Sequence, residues 1–222
     1  MGKSEWAAVD DYIVAELQTE DEAVRAVHAA NADAGLPTID VSAPQGKQLE
    51  LLAAIAGAGR VLEIGTLGGY STIWLARGVG PQGSVTTCEV DQHHADVARA
   101  NLDRAGVGDR VEIRVGPALE SLAALESEHA EAFDFVFIDA DKVNNGNYLR
   151  WALRLGRPGT VVVVDNVVRG GSLADPGKTD DATEGSREVL ALIAAEPRLD
   201  GTVVQTVGSK GWDGFALARI VR

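Results

Sequence analysis

One stretch constrains this chain more than any other: Arg60-Val-Leu-Glu-Ile-Gly-Thr-Leu-Gly-Gly-Tyr-Ser71, an apolar strand that breaks into glycines and restarts as a helix. Gly65, Gly68 and Gly69 permit positive φ and remove the side chains that would keep a ligand from the backbone, and Tyr70 onward supplies a helix N-terminus. A second strand, Ser84-Val-Thr-Thr-Cys-Glu-Val90, ends in Glu89, whose carboxylate can accept hydrogen bonds from both hydroxyls of a ribose. Together these features make adenosine the first ligand to consider.

Around that turn the sequence alternates strand and helix patterns. Strands are predicted near 60–65, 84–90, 110–115, 133–138 and 160–164, and helices near 70–78, 92–105, 117–129 and 146–155. Strand then helix, repeated, implies an α/β fold with a parallel sheet. The runs at 133–138 and 161–164 are almost continuously apolar, as expected of central strands covered on both faces. Ahead of them, 5–17, 20–34 and 44–56 carry apolar residues at three- and four-residue spacing and read as an N-terminal helical cap, residues 1–58, within one domain spanning 1–222. The Gly-, Asp- and Pro-rich segment 166–185 reads as a loop over the active site. A helix at about 186–195 follows, and 202–207 with 215–221 reads as a closing antiparallel pair.

Charge and cysteine usage narrow the partners. Twenty Lys and Arg against 33 Asp and Glu give a net charge of −13, which argues against a phosphate-backbone partner and so against nucleic acid. Cys88 is the only cysteine, which excludes an intrachain disulfide, and its apolar strand makes it a core residue. No apolar run resembles a signal peptide or reaches membrane-spanning length, so the expectation is a cytoplasmic protein with no membrane partner.

Two predicted strands end in acids: Phe137-Ile-Asp139-Ala-Asp141-Lys142 and Val163-Val-Asp165-Asn166. In an open parallel sheet, neighbouring strand ends place their last side chains in one crevice, so Asp139, Asp165 and Asn166 can converge. Two carboxylates and an amide carbonyl, with no His or Cys at ligand spacing, suit a hard dication such as Mg²⁺ better than zinc. Lys142 reaches the same crevice from three residues past Asp139. A dication there would favour its neutral amine, the form a general base needs near neutrality. His93 and His94 begin a helix after Asp91 and read as solvated.

Glu63-Ile-Gly65-Thr-Leu-Gly68-Gly-Tyr70-Ser71, Glu89, Gly116-Pro-Ala118, Asp139-Ala-Asp141-Lys142 and Asp165-Asn166, in this order and spacing, resemble the cation-dependent S-adenosylmethionine O-methyltransferases of the caffeoyl-CoA and catechol type. The resemblance covers roughly residues 40 to 220. It implies a class I methyltransferase, Rossmann-like sandwich: a seven-stranded, mostly parallel sheet with an antiparallel last strand and helices on both faces. It also implies that Glu89 holds the ribose, that Glu63, Gly65 and Ser71 line the methionine end, and that Ala118 lies beside adenine. Val41, Leu67 and Asp139 complete the cofactor-binding set. Asp139, Asp165 and Asn166 match the metal ligands, for Mg²⁺ or alternatively Mn²⁺ or Ca²⁺. Lys142 matches the residue that takes a proton from one of two adjacent phenolic oxygens, after which the methyl transfers in line and S-adenosylhomocysteine is left. Relatives of this kind are usually homodimers acting on small phenolic substrates.

The chain departs from the plant pattern at Asn145, where tyrosine usually stands, and at Arg169, where tryptophan often follows the Asp-Asn pair, while Tyr148 keeps the second aromatic position. Tyr148, Arg169 and Trp212 are accordingly expected to face substrate, Arg169 as a partner for an acidic substituent and Trp212 as an aromatic wall. Two other readings fit Glu89 and the glycine turn. One is a nicotinamide-dependent oxidoreductase, which the absence of G-x-G-x-x-G opposes. The other is a non-catalytic adenosine-ligand binder, which would need none of Asp139, Lys142, Asp165 and Asn166.

Overall fold

The computed structural model describes residues 2–222. Seven strands form one sheet: β1 (Arg60–Ile64), β2 (Ser84–Glu89), β3 (Val111–Val115), β4 (Phe133–Ile138), β5 (Gly156–Val164), β6 (Leu199–Gly208) and β7 (Gly211–Ile220), in the order β3-β2-β1-β4-β5-β7-β6. β1 to β5 pair in parallel, while β7 runs antiparallel to both β5 and β6. The strand order reverses between β1 and β4, the place where open α/β sheets leave a crevice outside their carboxyl ends.

Eight α-helices surround the sheet: α1 (Lys3–Leu17), α2 (Glu22–Asp33), α3 (Ala43–Ile55), α4 (Tyr70–Gly78), α5 (Gln92–Arg104), α6 (Ala118–Ser127), α7 (Asn145–Leu155) and α8 (Asp181–Ala195). Alternation along the strands splits the core in two. Phe133, Val136, Ile138, Val162 and Val164 pack beneath α6 to α8, whereas Phe135, Phe137 and Val163 pack with Leu49, Ile73 and Trp74 on the opposite face. A strand buried on both sides is apolar at most positions, which explains the runs 135–138 in β4 and 161–164 in β5. α1 buries no residue of its own, while α2 buries Val24, Val27 and Asn31. Among the described residues, no helix is long and apolar enough to cross a membrane.

The largest departures from the expected boundaries lie at β5, the closing hairpin and α8. β5 starts at Gly156, directly from α7, because Gly156 already pairs with Phe133 of β4. The closing hairpin is longer at both ends, with a ladder running from Leu199 opposite Ile220 to Gly208 opposite Gly211. α8 begins at Asp181 because the Asp180 carboxylate caps it, accepting from the Thr183 amide at 3.0 Å and the Thr183 hydroxyl at 2.8 Å. The shortened connection before α8 is also pinned: Arg187 donates to the carbonyls of Leu173 (3.2 Å) and Lys178 (2.7 Å).

Candidate active site

The crevice is set by backbone geometry at the end of β1. Gly65 has φ +102°, and a Cβ there would lie 2.4 Å from the Asp139 carbonyl oxygen, so only glycine lets the ends of β1 and β4 approach this closely. Glu89 at the end of β2 then grips the following turn. Its Oε2 accepts from the amides of Thr66 (3.2 Å) and Leu67 (2.8 Å), and its Oε1 from the amide of Asp91 (3.0 Å). His94 Nδ1 stands 3.4 Å from Oε1.

Behind the turn, Glu63 is fully buried. Oε1 accepts from the Ser71 hydroxyl (2.6 Å), and Oε2 from the hydroxyls of Thr87 (2.7 Å) and Thr72. Burial pushes its carboxyl up to about 7 in spite of these three donors.

A cavity of about 720 Å³ opens in front of the turn, within the range of small-molecule sites. Val41, Gly65, Leu67, Ser71, Glu89, Ala118 and Asp139, seven of the eight residues assigned to the cofactor, line it. Glu63, the eighth, does not; it lies behind the wall and bears on the cavity through Ser71. Tyr148, expected against substrate, lines this same cavity, buried with its hydroxyl donating to Asp141.

Asp139, Lys142 and Asn166 line this cavity, whereas Asp165 does not. Lys142 Nζ is 2.6 Å from Asp139 Oδ1, and both side chains are largely buried. Asp165 is 3% exposed; Oδ1 accepts from the Asn166 amide (2.8 Å) and Oδ2 from Gln45 Nε2 (2.8 Å). Burial, and then the charge of Asp139, raise the Asp165 carboxyl well above the ordinary range. Asn166 adopts φ +57°, a left-handed conformation that asparagine tolerates.

Asp139, Asp165 and Asn166 all line a second cavity of about 360 Å³, and Asp139 and Asn166 line the first as well. The two cavities therefore meet at Asp139 and Asn166, together with Ile39, Asp40 and Val41 of the cap. Among the described residues, no group of three or more His, Cys, Asp or Glu is placed to hold a metal. The candidate set here is different, two carboxylates and one amide oxygen, which fits a hard dication that keeps open positions for other oxygens. Two carboxylates close enough to disturb one another, one of them buried, is the electrostatic situation such a cation relieves.

Arg169 and Trp212 line neither cavity. The Arg169 amide is held by Asp213 Oδ1 at 2.8 Å, and the Trp212 ring packs over Gly171, with its indole N–H donating to Gln205 Oε1 at 3.1 Å. The second cavity is completed by Asp10, Asp40, Gln45, Gln48, Thr206 and Lys210, of which Asp40 also lines the first cavity and Gln45 donates to Asp165. None of these carries a motif, and they come from the cap and the hairpin. His94 was legible in principle, since it lies in the first turn of the helix that follows Glu89, at the sheet's ligand edge.

A family model described as O-methyltransferase matches residues 14–221. The chain is 56% identical to a Mycobacterium tuberculosis protein named catechol O-methyltransferase, over 96% of this chain and 94% of that one. It is 47% identical to a protein of the same name from Niastella koreensis, over 98% and 99%. An O-methyltransferase from Bacillus cereus, solved in complex with S-adenosylhomocysteine, superposes with a TM-score of 0.96 at 54% identity, covering 98% of this chain and 99% of that one.

Proposed function

Because the chain belongs to the O-methyltransferase family and is an S-adenosylmethionine-dependent enzyme of it, we propose that it methylates one hydroxyl of a vicinal dihydroxy aromatic, a catechol-type small molecule, with the help of a divalent cation. Family membership displaces both the nicotinamide oxidoreductase and the non-catalytic binder. The observation that carries the finer reading is the shared boundary: Asp139 and Asn166 stand between a large cavity bearing the cofactor residues and a smaller one with room for a single-ring acceptor.

On this reading Glu89 binds the ribose, Ser71 is held toward the methionine end by Glu63, and Ala118 lies at the adenine end. Asp139, Asp165 and Asn166 hold the cation, Mg²⁺ or alternatively Mn²⁺ or Ca²⁺. Such an ion supplies Lewis-acid polarisation of a phenolic oxygen, making its proton easier to remove. Lys142, held by Asp139 in the first cavity, would take that proton as the neutral amine, the form that a neighbouring dication favours. The chain's remaining contribution is alignment of acceptor oxygen and donor methyl across the boundary. The relatives named catechol O-methyltransferase support this acceptor class.

The reading also makes the protein a cytoplasmic homodimer with no nucleic-acid partner. The exposed Val9, Tyr12 and Leu17 of α1 and Leu51 and Ile55 of α3 offer apolar side chains to the second copy. The deciding experiment is a mass-spectrometric assay for a one-methyl gain on catechol by metal-stripped protein. Transfer should be absent in excess chelator and return with Mg²⁺; undiminished transfer in chelator removes the cation from the reaction.

A further inference from the structure

α3 belongs to the N-terminal cap, yet it touches Asp165 directly. The helix starts at Ser42, whose hydroxyl accepts from the Gln45 amide at 3.4 Å, with Pro44 in its first turn. Its next residue, Gly46, is pressed against α4: a Cβ there would lie 2.3 Å from Trp74 Nε1, and Trp74 is itself fully buried. This contact fixes the first turn of α3 against the sheet. From that turn Gln45 extends its amide to Asp165, 120 residues further along the chain, with Nε2 2.8 Å from Oδ2.

An ionised carboxylate only accepts, so the NH₂ edge of Gln45 must face it. The Asn166 amide holds the other oxygen at 2.8 Å. Each oxygen of Asp165 thus spends one lone pair on a neutral donor and keeps another for a ligand. Both donors are uncharged, so they orient the carboxylate without neutralising it, whereas Asp139 has the Lys142 ammonium against it.

We propose that Gln45 is a positioning residue for the cation: through its hydrogen bond to Asp165 it holds that carboxylate in its ligating orientation and ties cap helix α3 to cation binding. The proposal rests on the cation reading above. Partners that orient a ligand from outside the coordination sphere typically contribute 10- to 100-fold in metal affinity. Gln45 does not line the first cavity, so the nucleoside ligand is outside its reach.

The test is calorimetric titration of the chelator-stripped full chain with Mn²⁺ alone and, separately, with S-adenosylhomocysteine, comparing wild type, Gln45→Met and Gln45→Asn. Methionine keeps the length and loses the donor; asparagine keeps the amide and falls one methylene short. Both variants are expected to bind Mn²⁺ about 10- to 100-fold more weakly, with S-adenosylhomocysteine affinity unchanged within twofold. Less than tenfold weakening for Mn²⁺ in both, or parallel weakening for the two ligands, overturns the proposal. If wild type itself takes up no Mn²⁺, the cation reading fails first.

Discussion

Glu63→Gln should change the pH dependence of stability by an amount that follows from one buried carboxyl. In the unfolded chain that group titrates near 4.5, and in the fold near 7, because burial disfavours its charge more than Ser71, Thr72 and Thr87 favour it. Between those values the folded protein holds a proton that the unfolded chain has released, so stability falls as pH rises. The contribution is complete below about pH 4.5 and is lost as pH passes through 7. A shift of 7 − 4.5 = 2.5 units, at about 1.4 kcal/mol per unit, is on the order of 3 kcal/mol. Glutamine is neutral throughout and, like the protonated acid, presents both a donor and an acceptor to the three hydroxyls. The stability of the variant relative to wild type should therefore move about 3 kcal/mol in the variant's favour from pH 4.5 to above pH 7. Urea unfolding of chelator-stripped protein, followed by the fluorescence of buried Trp74, measures this difference and cancels titrations common to both proteins. Curves that stay parallel across the range would show that the three hydroxyls keep Glu63 ionised in the fold, and the argument from burial would be wrong.

Two further outcomes are expected. Lys142→Met should lower kcat on catechol by about 10²- to 10⁴-fold, read from initial rates across pH; a loss below tenfold assigns the proton to another acceptor. Gly65→Ala should cost about 2 to 3 kcal/mol of stability and weaken S-adenosylhomocysteine binding, since its Cβ would sit 2.4 Å from the Asp139 carbonyl oxygen at φ +102°. An unchanged melting temperature refutes the close approach of β1 and β4.

Features carried by contiguous residues were legible in the sequence. The glycine turn, Glu89 and the acids ending β4 and β5 lie on segments whose periodicity marks them, and strand order brings those ends together. Helix boundaries failed where a side chain decided them: Asp180 caps α8 within a segment whose Gly and Asp content reads as loop. Gln45 was invisible because its partner lies 120 residues away and nothing about an isolated glutamine announces a contact. Arg169 and Trp212 took their expected roles from the resemblance and from nearness to Asn166 and the hairpin tip. In the fold the Arg169 amide is tied to Asp213 and the Trp212 indole to Gln205, contacts that no local pattern records, and neither residue lines either cavity.

The common border of the two chambers divides what can vary from what cannot. On the proposed reading, Asp139 and Asn166 answer to the nucleoside on one side and to the acceptor on the other, so a change in either would disturb both halves of the reaction. The opposite rim of the acceptor chamber, from Asp10 and Gln48 to Thr206 and Lys210, is drawn from the cap and the closing hairpin and has no such double duty. Substitutions there can retune which aromatic is taken while methyl donation stays intact, leaving a fixed engine behind an exchangeable front.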